Sequence, residues 1–105
     1  KLMKLAFIII PLEVNKVPMT GLIAKTIDRL YIEFGGCTHY RVQGVWKGTD
    51  SYKNSLECQK IEVAVPSDEH DVFIMMAKDV AVEAGVEEIM VQAPDGEILF
   101  IPGVK

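Results

Sequence analysis

Apolar residues in this chain fall into short blocks, and the spacing within each block separates helix from strand. Residues 5–12 form an almost unbroken apolar run, rich in isoleucine and punctuated by Pro11. Continuous apolarity over that length predicts a central strand covered on both faces. Asn15, Lys16 and Pro18 read as loop. Thr20 is placed to cap a helix. Ile23, Ile27, Leu30, Tyr31 and Phe34 then recur at spacings of three and four, while Lys25, Asp28, Arg29 and Glu33 fall off that stripe. Gly35-Gly36 supplies the stop.

Residues 40–46 alternate as a strand, with Tyr40, Val42, Gly44 and Trp46 on one face and Arg41, Gln43 and Val45 on the other. Residues 47–55 are polar and include Gly48, Asp50, Ser51 and Asn54, the composition of a loop. Residues 56–65 alternate again, with Ile61, Val63 and Val65 facing away from Lys60, Glu62 and Ala64, so the two strands predict an antiparallel hairpin. Pro66 ends the second strand, Ser67 caps a second helix, and Asp68 and Glu69 suit the positive end of its dipole. Val72, Phe73, Met76, Ala77, Val80, Ala81 and Ala84 form the second helical stripe, which Gly85 stops. Residues 88–93 predict a further strand, Pro94-Asp95-Gly96 a turn, and residues 97–101 a last short strand.

The order β-α-β-β-α-β plus one strand predicts a single α+β domain over residues 1–105. Its type is the ferredoxin-like split β-α-β: an antiparallel sheet with both helices on one face and a C-terminal hairpin strand. The other sheet face then has no helix to cover it. Half of the residues are hydrophobic and the mean hydropathy is +0.22. So much apolar material in so small a domain predicts an apolar surface hidden by other subunits, and an oligomer.

Charge narrows the partners. The net charge is −4 and the sequence pI about 5.1. Arg41, Lys47, Lys53 and Lys60 are dispersed among Asp50, Glu57 and Glu62, so no basic face is built and nucleic acid is not expected as a partner. Residues 1–10 mimic a short signal peptide, but no small-residue cleavage site follows. No stretch approaches the ~20 apolar residues that span a bilayer. Cys37 and Cys58 fit no metal spacing. These features predict a cytoplasmic protein with reduced cysteines and no membrane partner.

Familiar catalytic signatures are absent from the sequence: no Gly-x-Ser-x-Gly, no phosphate-binding P-loop, no His-x-x-x-His and no Cys-x-x-Cys. His70 reads as a solvated group at a helix start, and His39 as structural. Glu57 stands out because it shares strand parity with Ile61, Val63 and Val65. Two readings follow. The strand end frays or bulges and Glu57 reaches water, or Glu57 faces a ligand in a mostly apolar cleft near Trp46. Such a pairing suits a cation, with the acid for an ammonium group and the indole for a cation or a flat ring.

Phe34-Gly35-Gly36-Cys37-Thr38, Gly44-Val45-Trp46, Glu57 and the run 61–66 resemble a pattern in small bacterial and phage proteins of ferredoxin-like fold. Within that group the chain, from its first strand to its last helix, is similar to the phage S-adenosylmethionine (SAM) lyases, formerly called SAM hydrolases. The most specific element is Gly44-Val45-Trp46 followed eleven residues later by Glu57. In those enzymes the aromatic is more often tyrosine, so Tyr52 is the candidate for the hydroxyl that Trp46 lacks. The resemblance implies degradation of SAM to methylthioadenosine and homoserine lactone by intramolecular displacement, with no cofactor and no metal. It assigns Glu57 and Trp46 to catalysis and Tyr52 and Gly44 to substrate binding, in a cleft between the subunits of a homotrimer. The architecture also resembles the trimeric PII-like proteins. That likeness implies the alternative, a non-catalytic sensor binding an adenine nucleotide or SAM and ordering the 47–55 loop.

Overall fold

The computed structural model describes residues 2–48 and 50–104. Lys1, at the head of the signal-like segment, and Thr49, inside the polar loop, lie outside the described residues. The strands are β1 (Met3–Pro11), β2 (Glu13–Val14), β3 (Val17–Pro18), β4 (Thr38–Lys47), β5 (Lys53–Pro66), β6 (Glu88–Gln92) and β7 (Ile98–Pro102); the helices are α1 (Thr20–Phe34) and α2 (His70–Ala84). Five strands form one antiparallel sheet in the order β4-β5-β1-β6-β7, and β2 pairs only with β3. This is the expected split β-α-β order with β7 added at one edge.

Alternation assigns the two faces. Ala6, Ile8, Ile10, Ile61, Val63, Val65, Ile89 and Val91 point toward the helices and bury against Ile23, Leu30, Phe73, Ala77 and Val80. Residues of opposite parity, among them Leu5, Phe7, Tyr40, Trp46, Met90 and Phe100, point to the face without a helix. Leu5 is 56% exposed and Phe100 59%. β1 is therefore central but helix-covered on one face only, which corrects the expectation of cover on both.

Both helices stop where expected. Gly35 and Gly85 take left-handed conformations at φ 93° and 67°, and their N–H groups donate to carbonyls of the preceding turn. Their starts differ from the sequence reading. α1 already includes Thr20 and is capped by Met19, and no side chain caps it. Ser67 opens a single 3-10 turn, Ser67–Glu69, that delivers the chain to α2 at His70. The α1 stripe also differs: Tyr31 is exposed, and Thr26 takes a buried place by donating its hydroxyl to the Leu22 carbonyl at 2.8 Å.

Outside the core, Glu83 of α2 accepts from Lys25 and Arg29 of α1, each at 3.1 Å. Partial burial pushes the Glu83 carboxyl up, and the two cations outweigh that and hold it below its ordinary range. A depressed folded-state pKa stabilises the fold above the unfolded value, and that contribution is lost as pH falls through the folded value. Because the groups are a third or more exposed, the effect is small. Urea melts of Glu83→Gln are expected to show a loss of about 0.5 kcal/mol at neutral pH, and no loss once the wild-type carboxyl is protonated.

The β4–β5 hairpin outgrows the rest of the sheet. β1 pairs with β5 only as far as Pro11 opposite Cys58, and one further bond joins the Leu12 N–H to the Glu57 carbonyl at 3.0 Å. Beyond that point β5 pairs with β4 alone, as far as Lys53 opposite Lys47. Of the segment expected to be loop, Lys47 and residues 53–55 are thus paired in a two-stranded ribbon, and the turn lies between Lys47 and Lys53. The overhang helps to make the molecule 46 Å long and 26 Å across. An isolated two-stranded ribbon is marginal in water.

Candidate functional site

Where the ribbon leaves the sheet, the helix-free face holds a cavity of about 530 Å³. Its floor is Ile9 and Pro11 of β1 with Leu56 and Cys58 of β5; Gly44 and Trp46 rise from β4, and Met90 and Phe100 from the β6–β7 edge. Glu87 and Glu88 stand on its rim, and among the described residues no basic side chain lines it. The volume is ordinary for a small-molecule site, and so is the mix of apolar walls with a few polar groups. Trp46 is 49% exposed, so its ring is available to a ligand.

Gly44 adds no side chain to the cavity. A Cβ at that position would meet the Leu56 carbonyl oxygen at 3.8 Å and the Cys58 sulfur at 3.9 Å, ordinary contacts, so the backbone does not demand glycine. A larger side chain there would project onto the cavity face. Cys58 contributes a neutral wall: burial pushes its thiol up against a smaller lowering by a hydrogen bond with the Gly44 backbone. A thiol so raised is a poor nucleophile.

Two residues expected at the site lie elsewhere in the single chain. In β4 and β5, Trp46 stands opposite Asn54 and Gln43 opposite Glu57, in an unbroken register. Glu57 therefore keeps the parity of Ile61 and Val63, as read from the sequence, and points to the helix side while Trp46 points to the helix-free side. The strand neither frays nor bulges at Glu57. Its carboxylate reaches water because the ribbon has run past the helices: the side chain is 71% exposed and its ion pair with Arg41 is 4.0 Å long. Tyr52 lies in the turn at the ribbon tip, 74% exposed, with its N–H donating to Asp50 Oδ1 at 3.0 Å. One chain thus brings Trp46 and Gly44 together and leaves Glu57 and Tyr52 outside their cavity.

A second polar group on the helix-free face was not anticipated. The Tyr40 hydroxyl donates to Glu62 Oε2 at 2.8 Å, and Lys60 Nζ lies 3.4 Å from the same oxygen. Lys60 also sits 4.3 Å from the centre of the Phe7 ring. Glu62 borders a further cavity of about 430 Å³, against the Gly35–Thr38 segment. The alternating Lys60 and Glu62 were visible in the sequence, but their pairing with Tyr40 required the hairpin register. On the other face His39, which the sequence reads as structural, accepts at Nδ1 from the Gln59 side-chain amide at 2.8 Å. His70 lies 3.3 Å from Asp71 and 3.6 Å from Asp95, so it is less solvated than its helix-start position suggested. Among the described residues no three His, Cys, Asp or Glu side chains gather as metal ligands, and no helix is long and apolar enough to cross a membrane.

No family model matches the chain. No curated protein matches it. Solved structures do. A phage SAM lyase in complex with S-methyl-5′-thioadenosine superposes with a TM-score of 0.71 at 12% identity, covering 95% of this chain and 89% of that one. A phage SAM lyase in the apo state gives 0.65 at 15% identity, covering 95% and 90%. The chain has the α+β fold of phage SAM lyase structures over nearly its whole length.

Proposed function

We propose that this protein degrades SAM to methylthioadenosine and homoserine lactone, at a cleft completed between the subunits of a homotrimer. The observation that carries the reading is the Trp46 cavity. It is apolar, carries an aromatic face and two carboxylates, and has no basic side chain among its described lining residues. SAM offers the matching chemistry, a flat adenine and a sulfonium cation. The fold shared with phage SAM lyase structures supports the same assignment.

The reaction asks little of the protein beyond placement. A carboxylate oxygen of SAM attacks its own Cγ as the Cγ–S bond breaks. The electron pair of that bond stays on sulfur, so the sulfonium becomes a neutral thioether and the carboxylate becomes a lactone. No proton moves in this step. Holding the carboxylate against Cγ in a water-poor pocket lowers the barrier by several kcal/mol. In this reading Trp46 packs on the ligand, Gly44 leaves it space, and Glu57 and Tyr52 arrive on the overhanging ribbon of a neighbouring copy. Glu57 then holds the α-ammonium and Tyr52 donates a hydrogen bond.

The test is incubation with SAM and chromatography for methylthioadenosine. Glu57→Gln is expected to lower turnover about tenfold or more, the worth of a charge-assisted hydrogen bond in a dry site. Its melting temperature should not change, because the exposed pair with Arg41 contributes almost nothing. Glu69→Gln, at the start of α2, should turn over like wild type. Equal activity in Glu57→Gln and wild type would remove Glu57 from the site. SAM binding without turnover would favour the trimeric sensor reading.

A further inference from the structure

Of the two carboxylates on the rim of the Trp46 cavity, one belongs to the same sheet face as the indole. β1 pairs with β6 through Phe7 opposite Gln92 and Ile8 opposite Val91. By that parity Glu88 falls on the helix-free face with Pro11 and Cys58, which pair with each other. All three line the cavity. Glu88 shares parity with Met90, also on the cavity wall, whereas Ile89 between them is buried in the core. Glu87 precedes the strand, and its backbone carbonyl accepts from the Gly103 N–H at 3.2 Å. The face assignment therefore singles out Glu88.

We propose that Glu88 is the counter-charge for the ligand's cationic centre in this cavity, opposite the Trp46 ring, and that it selects cationic over neutral ligands. This builds on the reading of the cavity as the SAM site and extends it. Glu88 faces the sulfonium, and Glu57 of a neighbouring copy is left to the α-ammonium. A consequence follows from charge. The sulfonium charge disappears as the Cγ–S bond breaks, so a carboxylate beside it stabilises bound SAM more than the transition state. Glu88 therefore sharpens substrate binding and speeds release of the neutral thioether without accelerating the chemical step.

The experiment compares wild type with Glu88→Gln. This substitution at an exposed strand start keeps size and hydrogen bonding and removes only the charge. With SAM, KM is expected to rise roughly tenfold, the order of the loss when an opposite charge about 4 Å from a partly solvated cation is removed, while kcat stays level or rises. A fall in kcat at unchanged KM would overturn the proposal. A second measurement does not depend on turnover. Trp46 is the only tryptophan in the chain, so its fluorescence reports ligands of the cavity directly. Wild type is expected to bind 1-methylquinolinium roughly tenfold more tightly than uncharged quinoline, and Glu88→Gln is expected to lose that preference. If the preference is absent in wild type or survives in Glu88→Gln, Glu88 is not the counter-charge. If the preference behaves as expected but SAM is not degraded, the cation site stands and the lyase reading alone falls.

Discussion

Leu5→Asp is expected to leave the fold intact and break the assembly. Leu5 lies on the central strand, points to the helix-free face and is 56% exposed in the single chain, so an aspartate there meets water. In a homotrimer packed through that face, the same carboxylate would be buried without a partner. The effective penalty for desolvating an ion is several kcal/mol, and about 3 kcal/mol is already more than a hundredfold in an association constant. Sedimentation equilibrium at micromolar concentration should give a trimer for wild type and a monomer for Leu5→Asp. SAM turnover should fall about a hundredfold or more, because the ribbon of one copy no longer reaches the cavity of the next. The far-ultraviolet circular dichroism should be unchanged. Val82→Asp serves as control, being 65% exposed on α2, the helix layer opposite that face, and should keep both assembly and turnover. A wild-type protein that sediments as a monomer, or a Leu5→Asp variant that keeps the wild-type assembly, would contradict the shared-cleft account.

The second large effect is steric. Gly103→Ala should destabilise the domain by about 1–3 kcal/mol, toward the upper end of what overpacking costs. A Cβ at Gly103 would run into the backbone carbonyl of Ala81 and would lie 2.6 Å from the Val86 carbonyl oxygen. These are backbone atoms, which cannot swing aside as a side-chain tip can. Gly103 also donates its N–H to Val86 and Glu87, at 3.1 and 3.2 Å, and so ties the end of β7 to the segment that presents the acidic rim of the cavity. The variant should therefore also raise the KM for SAM. Gly21→Ala gives the contrast: nothing lies within 4 Å of its added Cβ, and removing a glycine from a helix should stabilise by up to about 1 kcal/mol. Urea denaturation distinguishes the two. A Gly103→Ala variant as stable as wild type would mean that β7 can shift away at no cost.

How much of this was legible in the sequence depended on contact with the core. Strands and helices that bury a face were readable, because burial imposes the periods of two and 3.6 on apolar residues. Gly35, Gly85 and Gly96 marked the turns they make, at φ 93°, 67° and 91°. Only the far end of the ribbon, Lys47 and residues 53–55, reads as loop in the sequence, because a two-stranded overhang buries little. Lys47, Lys53 and Ser55 are exposed, and no apolar alternation survives there to mark the strand. The small β2–β3 hairpin escaped for a similar reason. Its turn uses Asn15 and Lys16 at φ 50° and 67°, and lysine carries no turn signal.

The site was legible by residue and not by arrangement. The parity of Glu57 was read correctly, and so was that of Trp46, each within its own strand. Their relation across the hairpin depends on which residues pair, hence on the turn length, and the polar stretch between them did not reveal it. Once Trp46 is set opposite Asn54, Glu57 must face the other way. Glu88 carried only the faint signal of an acid two residues before Met90 at a strand start. That it shares a cavity with Trp46 comes from β6 lying beside β1, a fact of topology that no local pattern contains.

The most direct test of the central claim runs the reaction in oxygen-18 water and examines the earliest product formed with methylthioadenosine. Intramolecular displacement predicts unlabelled homoserine lactone first, with the label entering only as the lactone opens to homoserine. Labelled homoserine from the first time point, with no lactone detected, would make water the nucleophile and contradict the mechanism.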